Sequence, residues 1–317
     1  MDNLTHSLVG LMLARAGLEK TTVRGTAMMV LAANAPDADA FVWFTGTMRY
    51  IEYHRTYTHT LTFLPLVALL PMLIARAKFS WRSYLAAIIG VLSHLLLDWT
   101  NSYGIPLTMP FSTHRFRLDI NNIVDVWILS ILLLAIAAPA LSRLVGGEIG
   151  ERKSITPRRT WAWVALAGVL LFEGFRVVTH ARAVEVMSAR LYEGASPKRV
   201  TALPNSFNPF TWRGVIEGAK FAIILPVNLR AEYDPAAGRL YRAPAEVPGM
   251  QTALRTHPFE VFSRWSQVPF WRVTPVGDDL RLDLIDLRFG TPDSPSFAGV
   301  SAIVDRSGNV LRSGFGI

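Results

Sequence analysis

The stretch SHLLLDWTNSYG, Ser93–Gly104, closes an apolar run that begins at Tyr84. His94 and Asp98 lie four positions apart in it, and residues i and i+4 share one face of a helix. A neutral imidazole nitrogen and a carboxylate oxygen both suit zinc or a similar divalent ion. The pair alone is equally compatible with a structural role, in which His94 bonds to the backbone and Asp98 lies near a helix end.

The rest of the chain is unusually apolar. Of its 317 residues 51% are hydrophobic and only 18% are charged, and the mean hydropathy is +0.29, which favours a membrane protein over a soluble one. We therefore predict an α-helical integral membrane domain over residues 1–178, with about six membrane-embedded helices. The six apolar runs that carry this prediction are Leu4–Leu18, Thr26–Ala35, Leu61–Ala75, Tyr84–Leu97, Val124–Leu141 and Thr160–Val178.

The sequence changes character after about residue 178. Segments such as FAIILPVN, FWRVTP and LRLDLIDLRFG are rich in β-branched and aromatic residues and are separated by turn signals. The Ser-Gly-Asn cluster at residues 307–309 is typical of a hairpin turn. We predict that residues 179–317 form a mostly β soluble domain.

Positive charge alternates between the loops of the helical part. The loops after the first, third and fifth runs carry Arg15, Lys20, Arg24, Arg76, Lys78, Arg82, Arg143, Arg152, Lys153, Arg158 and Arg159. The other loops carry Arg49, Arg55, Arg115 and Arg117. The positive-inside rule makes the first set cytoplasmic. We expect a multi-pass protein of the cytoplasmic (inner) membrane, with the β domain on the extracytoplasmic side.

Further His and Asp residues gather at the opposite ends of the helices from these basic loops. NAPDAD supplies Asp37 and Asp39, HRTYTHT supplies His54 and His59, and THSL supplies His6. Unpaired carboxylates are costly in a medium of low dielectric, so such a cluster indicates a bound cation. The chain has no Cys, which excludes thiolate ligands. We predict that His6, Asp37, His59, His94 and Asp98 are the metal ligands.

The ordered set MDNLTHSLVG, NAPDAD, HRTYTHTL, SHLLLDWTNSYG and PFSTHRF resembles the YdjM-like family of inner-membrane proteins that are assigned as metal-dependent hydrolases. The resemblance covers roughly residues 1–125. It implies an integral membrane protein with a metal-dependent hydrolase activity. The order of ligand types is also similar to that of zinc-dependent phospholipase C, as an analogy of spacing only.

These observations together predict a membrane-bound hydrolase with one or two Zn²⁺ ions, or Mn²⁺ or Fe²⁺ in their place. Metal-activated water would attack a phosphoester or ester of a lipid-derived or phosphorylated small substrate, with the lipid bilayer as a partner and no nucleic acid. Asp39, His54 and Arg55 are the catalytic candidates. Asp39 or His54 would act as a base or orient a ligand.

The sequence is compatible with two roles for Arg55 and Arg115. Arg55 and Arg115 would either neutralise a substrate phosphate or contact lipid headgroups. Two other functions also remain for the whole protein. One is an ion- or proton-handling transporter, and the other is a non-catalytic scaffold with a structural metal.

Overall fold

The computed structural model describes residues 1–148, 158–294 and 297–315. Arg152 and Lys153, two of the basic residues in the loop after the fifth apolar run, lie outside these ranges. The chain divides into two compact units. The helical unit comprises Met1–Asp39, Arg55–His180 and Pro204–Pro209, and the β unit comprises Ala40–His54, Ala181–Leu203 and Phe210–Ile317. The predicted boundary at residue 178 falls inside a helix that continues to Ser188.

The α-helices, in chain order, are α1 (Asn3–Ala16), α2 (Gly25–Ala32), α3 (Thr47–Tyr53), α4 (Leu64–Val67), α5 (Leu69–Ile74), α6 (Trp81–Thr100), α7 (Val126–Glu148), α8 (Arg158–Ser188), α9 (Met250–Leu254) and α10 (His257–Trp265). Short 3₁₀ helices at Pro36–Thr45 and Tyr57–His59 carry several of the predicted site residues. α6 begins at a capping box, because the Ser80 and Ser83 side chains each bond to the other's backbone N–H.

The prediction of about six membrane-embedded helices is wrong. Within the described residues, two helices, α6 and α8, are long and apolar enough to cross a membrane. A third crossing exists only if the bent pair Thr47–His59 and Leu64–Ile74 forms one span. α1 has 14 residues and α2 has 8, so they extend only about 21 and 12 Å, short of a hydrocarbon core of about 30 Å.

The apolar character of the short helices serves packing within the helical unit. Met28, Met29 and Ala32 of α2 are completely buried. A Cβ added to Gly10 of α1 would lie 2.8 Å from the Ala33 side chain, and one added to Gly90 of α6 would lie 2.6 Å from that of Ala32. Small residues therefore let three helix backbones approach closely. A hydropathy pattern does not distinguish such a buried helix from one that faces lipid.

The β unit confirms the prediction of a β-rich C-terminal part. Its strands are β1 (Arg199–Pro204), β2 (Thr211–Glu217), β3 (Phe221–Asn228), β4 (Arg239–Arg242), β5 (Pro269–Val276), β6 (Asp279–Asp286), β7 (Gly299–Val304) and β8 (Val310–Gly314). They form two four-stranded sheets, in the orders β1-β2-β3-β4 and β5-β6-β7-β8. Within the second sheet all neighbours are antiparallel.

The predicted hairpin turn lies between β7 and β8. Asp305 accepts hydrogen bonds from the backbone N–H groups of Ser307 and Asn309, both at 2.9 Å. Gly308 has a φ of 85°, a left-handed conformation that glycine adopts without a steric penalty. The turn residues thus fix the register of the last two strands.

Candidate metal centre

Four predicted ligands come together at one end of α6. The helix presents His94 and Asp98 on one face, one turn apart. Asp37 lies in the first turn of the 3₁₀ helix that begins at Pro36, and His59 ends the short 3₁₀ helix before α4. All four residues are buried, and one ligand atom from each lies within 4.8 Å of the others.

Five of the six distances between these ligand atoms are close to those of a tetrahedral site. His59 Nε2 lies 3.2 Å from His94 Nε2, 3.3 Å from Asp37 Oδ1 and 3.4 Å from Asp98 Oδ2. His94 Nε2 lies 3.6 Å from the same Asp37 oxygen and 3.5 Å from the same Asp98 oxygen. A tetrahedron with metal–ligand bonds of about 2.0–2.1 Å has edges of about 3.3–3.4 Å. The arrangement therefore fits a small divalent ion.

The far side of each imidazole is held by a hydrogen-bond partner. His94 Nδ1 lies 2.8 Å from the carbonyl oxygen of Ala33, so it donates its proton there. His59 Nδ1 lies 3.0 Å from the Thr58 hydroxyl and 3.5 Å from Asp39 Oδ2. Such partners fix the tautomer of a ligating histidine and direct its other nitrogen at the metal. Both Nε2 atoms consequently face the centre.

The carboxylate atoms of the group lack protein donors. Among the described residues, nothing donates a hydrogen bond to Asp37 Oδ1 or Asp98 Oδ2, although both atoms are buried. Burial alone raises the pKa of Asp37, but the adjacent His59 and His94 rings and Arg55 outweigh it and hold that pKa well below its usual range. Two buried carboxylate oxygens without hydrogen-bond donors favour a cation nearby, and the Arg55 guanidinium and the Met1 amino group already lie beside Asp98. This donor set fits a metal ion without identifying it.

We call the ligand atoms of Asp37, His59, His94 and Asp98 the four-atom group. His6, also predicted as a ligand, lies beside this group and not within it. Its ring stacks on that of His94 with centroids 3.7 Å apart, and its Nε2 lies 3.5 Å from Asp98 Oδ1. Both ring nitrogens are buried, and no residue in the described ranges forms a hydrogen bond with them. Burial also holds the pKa of His6 well below its usual value, which keeps the ring neutral. Asp98 thus directs one oxygen at the group and the other at His6.

The three residues predicted as catalytic occupy different positions. Asp39 lies outside the four-atom group and accepts hydrogen bonds from the Thr58 hydroxyl and, at 3.0 Å, from the Arg55 backbone N–H. Its place next to His59 Nδ1 makes it a residue that orients a ligand. His54 belongs to the β unit, where it follows α3 and its ring stacks on Tyr50.

Arg55, the third of them, lies directly at the centre. Its Nη2 atom is 3.1 Å from Asp98 Oδ2, and its side chain is 5% exposed. Its guanidinium carbon lies 4.8 Å from the centroid of the Tyr103 ring, within the range of a cation–π contact. By contrast His114, a further histidine of the PFSTHRF motif, is exposed and packs against Phe116.

Two further residues of the centre, Asn101 and Tyr103, are not metal-ligand types and were not predicted. Asn101 donates a hydrogen bond from Nδ2 to Asp98 Oδ1 at 3.2 Å, and Tyr103 lies under Arg55. Both belong to the opening stretch, three and five positions after Asp98. Their position directly after the helix that carries His94 and Asp98 could have indicated them, but neither is a His or a carboxylate residue. The Ala33 carbonyl that orients His94 leaves no side-chain signal at all.

These features define a membrane protein with a buried His/Asp centre that is able to hold a metal ion. The chain belongs to the YdjM inner membrane protein family, whose model matches residues 1–183, and this confirms the resemblance in the motifs. The chain is 28% identical over 152 residues to the Bacillus subtilis (strain 168) protein named "Uncharacterized protein YfhP", which covers 43% of this chain and 46% of that protein. The chain thus spans about half the length of this curated relative. No solved structure is significantly similar to the chain.

Proposed function

We propose that this protein is a membrane-bound metal-dependent hydrolase that acts on phosphoesters or esters of membrane-accessible substrates. The observation that carries the proposal is the set of four ligand atoms from Asp37, His59, His94 and Asp98, of which five pairs lie between 3.2 and 3.6 Å apart. A divalent ion held there would supply Lewis-acid chemistry, lowering the pKa of water and polarising an ester oxygen.

The chain's own residues have distinct parts in this proposal. His59 and His94 would be nitrogen ligands whose orientation is set by Thr58 and by the Ala33 carbonyl. Asp39 lies behind His59, where it would help to hold the ring in that orientation. Arg55 Nη2 lies beside Asp98, so the guanidinium offers positive charge next to the place where an oxyanion develops.

We propose zinc as the metal, because imidazole nitrogens and carboxylate oxygens are among its usual ligands. Activation of water there would require a coordination position in addition to the four protein ligands, as in five-coordinate zinc. A second ion would lie between Asp98 Oδ1 and His6 Nε2, which are 3.5 Å apart, and it would have to displace the Met1 amino group, which contacts the same oxygen. A carboxylate that bridges two ions is common in two-metal hydrolytic sites. His6 would then be a ligand of the second ion only.

We also propose that the centre and the β unit lie on the extracytoplasmic side of the membrane. Arg76, Lys78 and Arg82 lie around the beginning of α6, and Arg158 and Arg159 lie at the beginning of α8, so the positive-inside rule assigns these two helix ends to the cytoplasm. The ligand residues fall at the helix ends opposite the basic loops, where a lipid-derived substrate would enter from the outer leaflet. Cysteine accessibility at introduced Ser7→Cys and Arg82→Cys sites in sealed spheroplasts tests this sidedness.

The activity itself is tested on detergent-purified protein. Zinc, manganese and iron are measured by inductively coupled plasma mass spectrometry, and hydrolysis is measured on phosphomonoester, phosphodiester and carboxylic ester substrates. We expect His94→Ala to lose the metal and at least about a hundredfold in turnover, because a first ligand matters more than its supporting partners. His257→Ala, which changes an exposed histidine of the β unit, is the matched control.

Two results would overturn the proposal. Bound metal without turnover on any of the three substrate classes would favour the scaffold. Cation uptake into proteoliposomes that depends on Asp98 would favour the transporter.

A further inference from the structure

The Arg55 side chain has more hydrogen-bonding capacity than its surroundings use. Its Nη2 atom faces Asp98, but its Nε and Nη1 atoms are buried and, in the described part of the chain, have no hydrogen-bond partner. A buried donor without an acceptor loses its hydration with no compensation. A guanidinium that is held beside a hydrolytic centre with unused donors is typical of a site for an oxygen-rich anion.

We infer that Arg55, supported by Tyr103 and Arg115, forms an anion subsite that selects a phosphoryl group, which makes the substrate of the proposed hydrolase a phosphate ester. This inference rests on the proposed function. It narrows the substrate class, because a neutral carboxylic ester has no charge for the guanidinium to bind.

The surrounding residues fix the position of Arg55 from several directions. Its backbone N–H donates to Asp39 Oδ2 at 3.0 Å, and its carbonyl oxygen accepts from Arg115 Nη2 at 3.3 Å. The Tyr103 ring lies against the guanidinium. The residue is also held at a φ of 55°, a left-handed conformation that a non-glycine side chain adopts only when its surroundings impose it. The guanidinium is thus oriented before any substrate arrives.

The test measures phosphate binding, not turnover. Inorganic phosphate is titrated into metal-loaded, detergent-purified protein and followed by isothermal calorimetry and ³¹P line broadening. We expect Arg55→Gln to weaken phosphate binding about tenfold to hundredfold, since charge-assisted hydrogen bonds are lost, with the metal content unchanged. Arg82→Gln, which changes an exposed arginine at the other end of α6, is the control and should bind phosphate as the wild type does.

Two further experiments complete the test. One distinguishes a lipid phosphate from a soluble phosphate, and the other is a second variant in case Arg55→Gln does not fold. Nanodiscs with phosphatidic acid are compared with a water-soluble phosphate monoester, and preferential binding of one identifies the lipid or the soluble source. If Arg55→Gln does not fold, Arg55→Lys decides, because it keeps the charge but loses the other donors.

The outcomes distinguish the inference from the proposed function. Metal-loaded wild type that does not bind phosphate, or a lysine or glutamine variant that binds it as well as the wild type, overturns the inference and leaves the hydrolase standing with a carboxylic ester substrate. Wild type that retains no metal overturns the proposed function itself.

Discussion

The two units of this protein differ in the hydrogen bonds that their buried carboxylate oxygens accept. In the β unit, Asp286 is completely buried and its oxygens accept hydrogen bonds from Arg288, Ser266 and the Gln267 backbone at 2.7–2.9 Å. In the helical unit, Asp37 Oδ1 and Asp98 Oδ2 are buried and, among the described residues, accept none. A satisfied carboxylate is part of a fold, whereas an unsatisfied pair beside two imidazoles is prepared for a cation.

The same contrast extends to the positive charges. Arg288 uses its guanidinium on Asp286 within hydrogen-bonding distance, and Arg272 and Arg281 do the same for Asp283. Arg55 forms an ion pair with Asp98, and two of its nitrogens have no hydrogen-bond partner within the part of the chain that the structure describes. The ion pairs around Asp283 and Asp286 in the β unit thus use their arginine donors, whereas the Arg55–Asp98 pair of the helical unit does not use all of them.

Asp98→Asn gives the largest effect that we expect. The change removes one charge and one ligand from the four-atom group, so the metal affinity should fall by well over a hundredfold, because ligand carboxylates must be ionised to bind. Competition with a fluorescent chelator measures it. Unfolding of the β unit should be unchanged, and a variant that keeps its metal would show that the four atoms do not form the site.

Asp286→Asn is the reciprocal experiment in the β unit. It leaves Arg288, whose side chain is 0% exposed, without its partner, and breaking a buried ion pair in this way costs roughly 3–5 kcal/mol. Denaturant titration, monitored by the hydrogen exchange of the β6 amides, measures this loss in the free energy of unfolding. The metal content should stay at the wild-type level; metal loss here would mean that the two units are not energetically separate.

Several parts of the site could be predicted from the sequence because the signals are local. The spacing of His94 and Asp98 places both side chains on one face of α6, and Pro36 marks the start of the segment that carries Asp37. The β-rich half could be predicted as well, since turn residues such as Gly308 mark the strand ends. These inferences need only the neighbouring residues.

Other parts depend on tertiary packing that no local pattern records. His6 lies next to the group, but its ring stacks on His94, and only the crossing of α1 with α6 decides this. The number of spans was overestimated because Met28 and Met29 are as apolar as lipid-facing residues yet are buried inside the unit. Tyr103 carries no metal-ligand signal and is informative only once Arg55 is seen above it.

Acid titration sharpens the comparison in the β unit. Burial alone would raise the pKa of Asp286, but Arg288 outweighs it and holds the pKa at about 2, below the ordinary 3.8. The stabilisation is therefore complete above about pH 4 and is lost as the pH falls toward 2. The shift corresponds to about 2 kcal/mol. Denaturant midpoints between pH 5 and 2 should show this loss in the wild type and a smaller slope in Asp286→Asn.

Asp39→Asn is expected to give the smallest effect and tests the helical unit at its supporting residues. The amide keeps an acceptor for Thr58 and for the Arg55 backbone but removes the charge next to His59 Nδ1. Outer partners of ligating histidines typically contribute tenfold to a hundredfold in metal affinity, and we expect the lower end, about tenfold, because the Thr58 hydroxyl remains 3.0 Å from that nitrogen. Chelator competition at pH 7 measures it, with Asp293→Asn on the β unit as the control. A loss as large as that of Asp98→Asn would make Asp39 a direct ligand, and no loss would mean that Thr58 alone orients the ring.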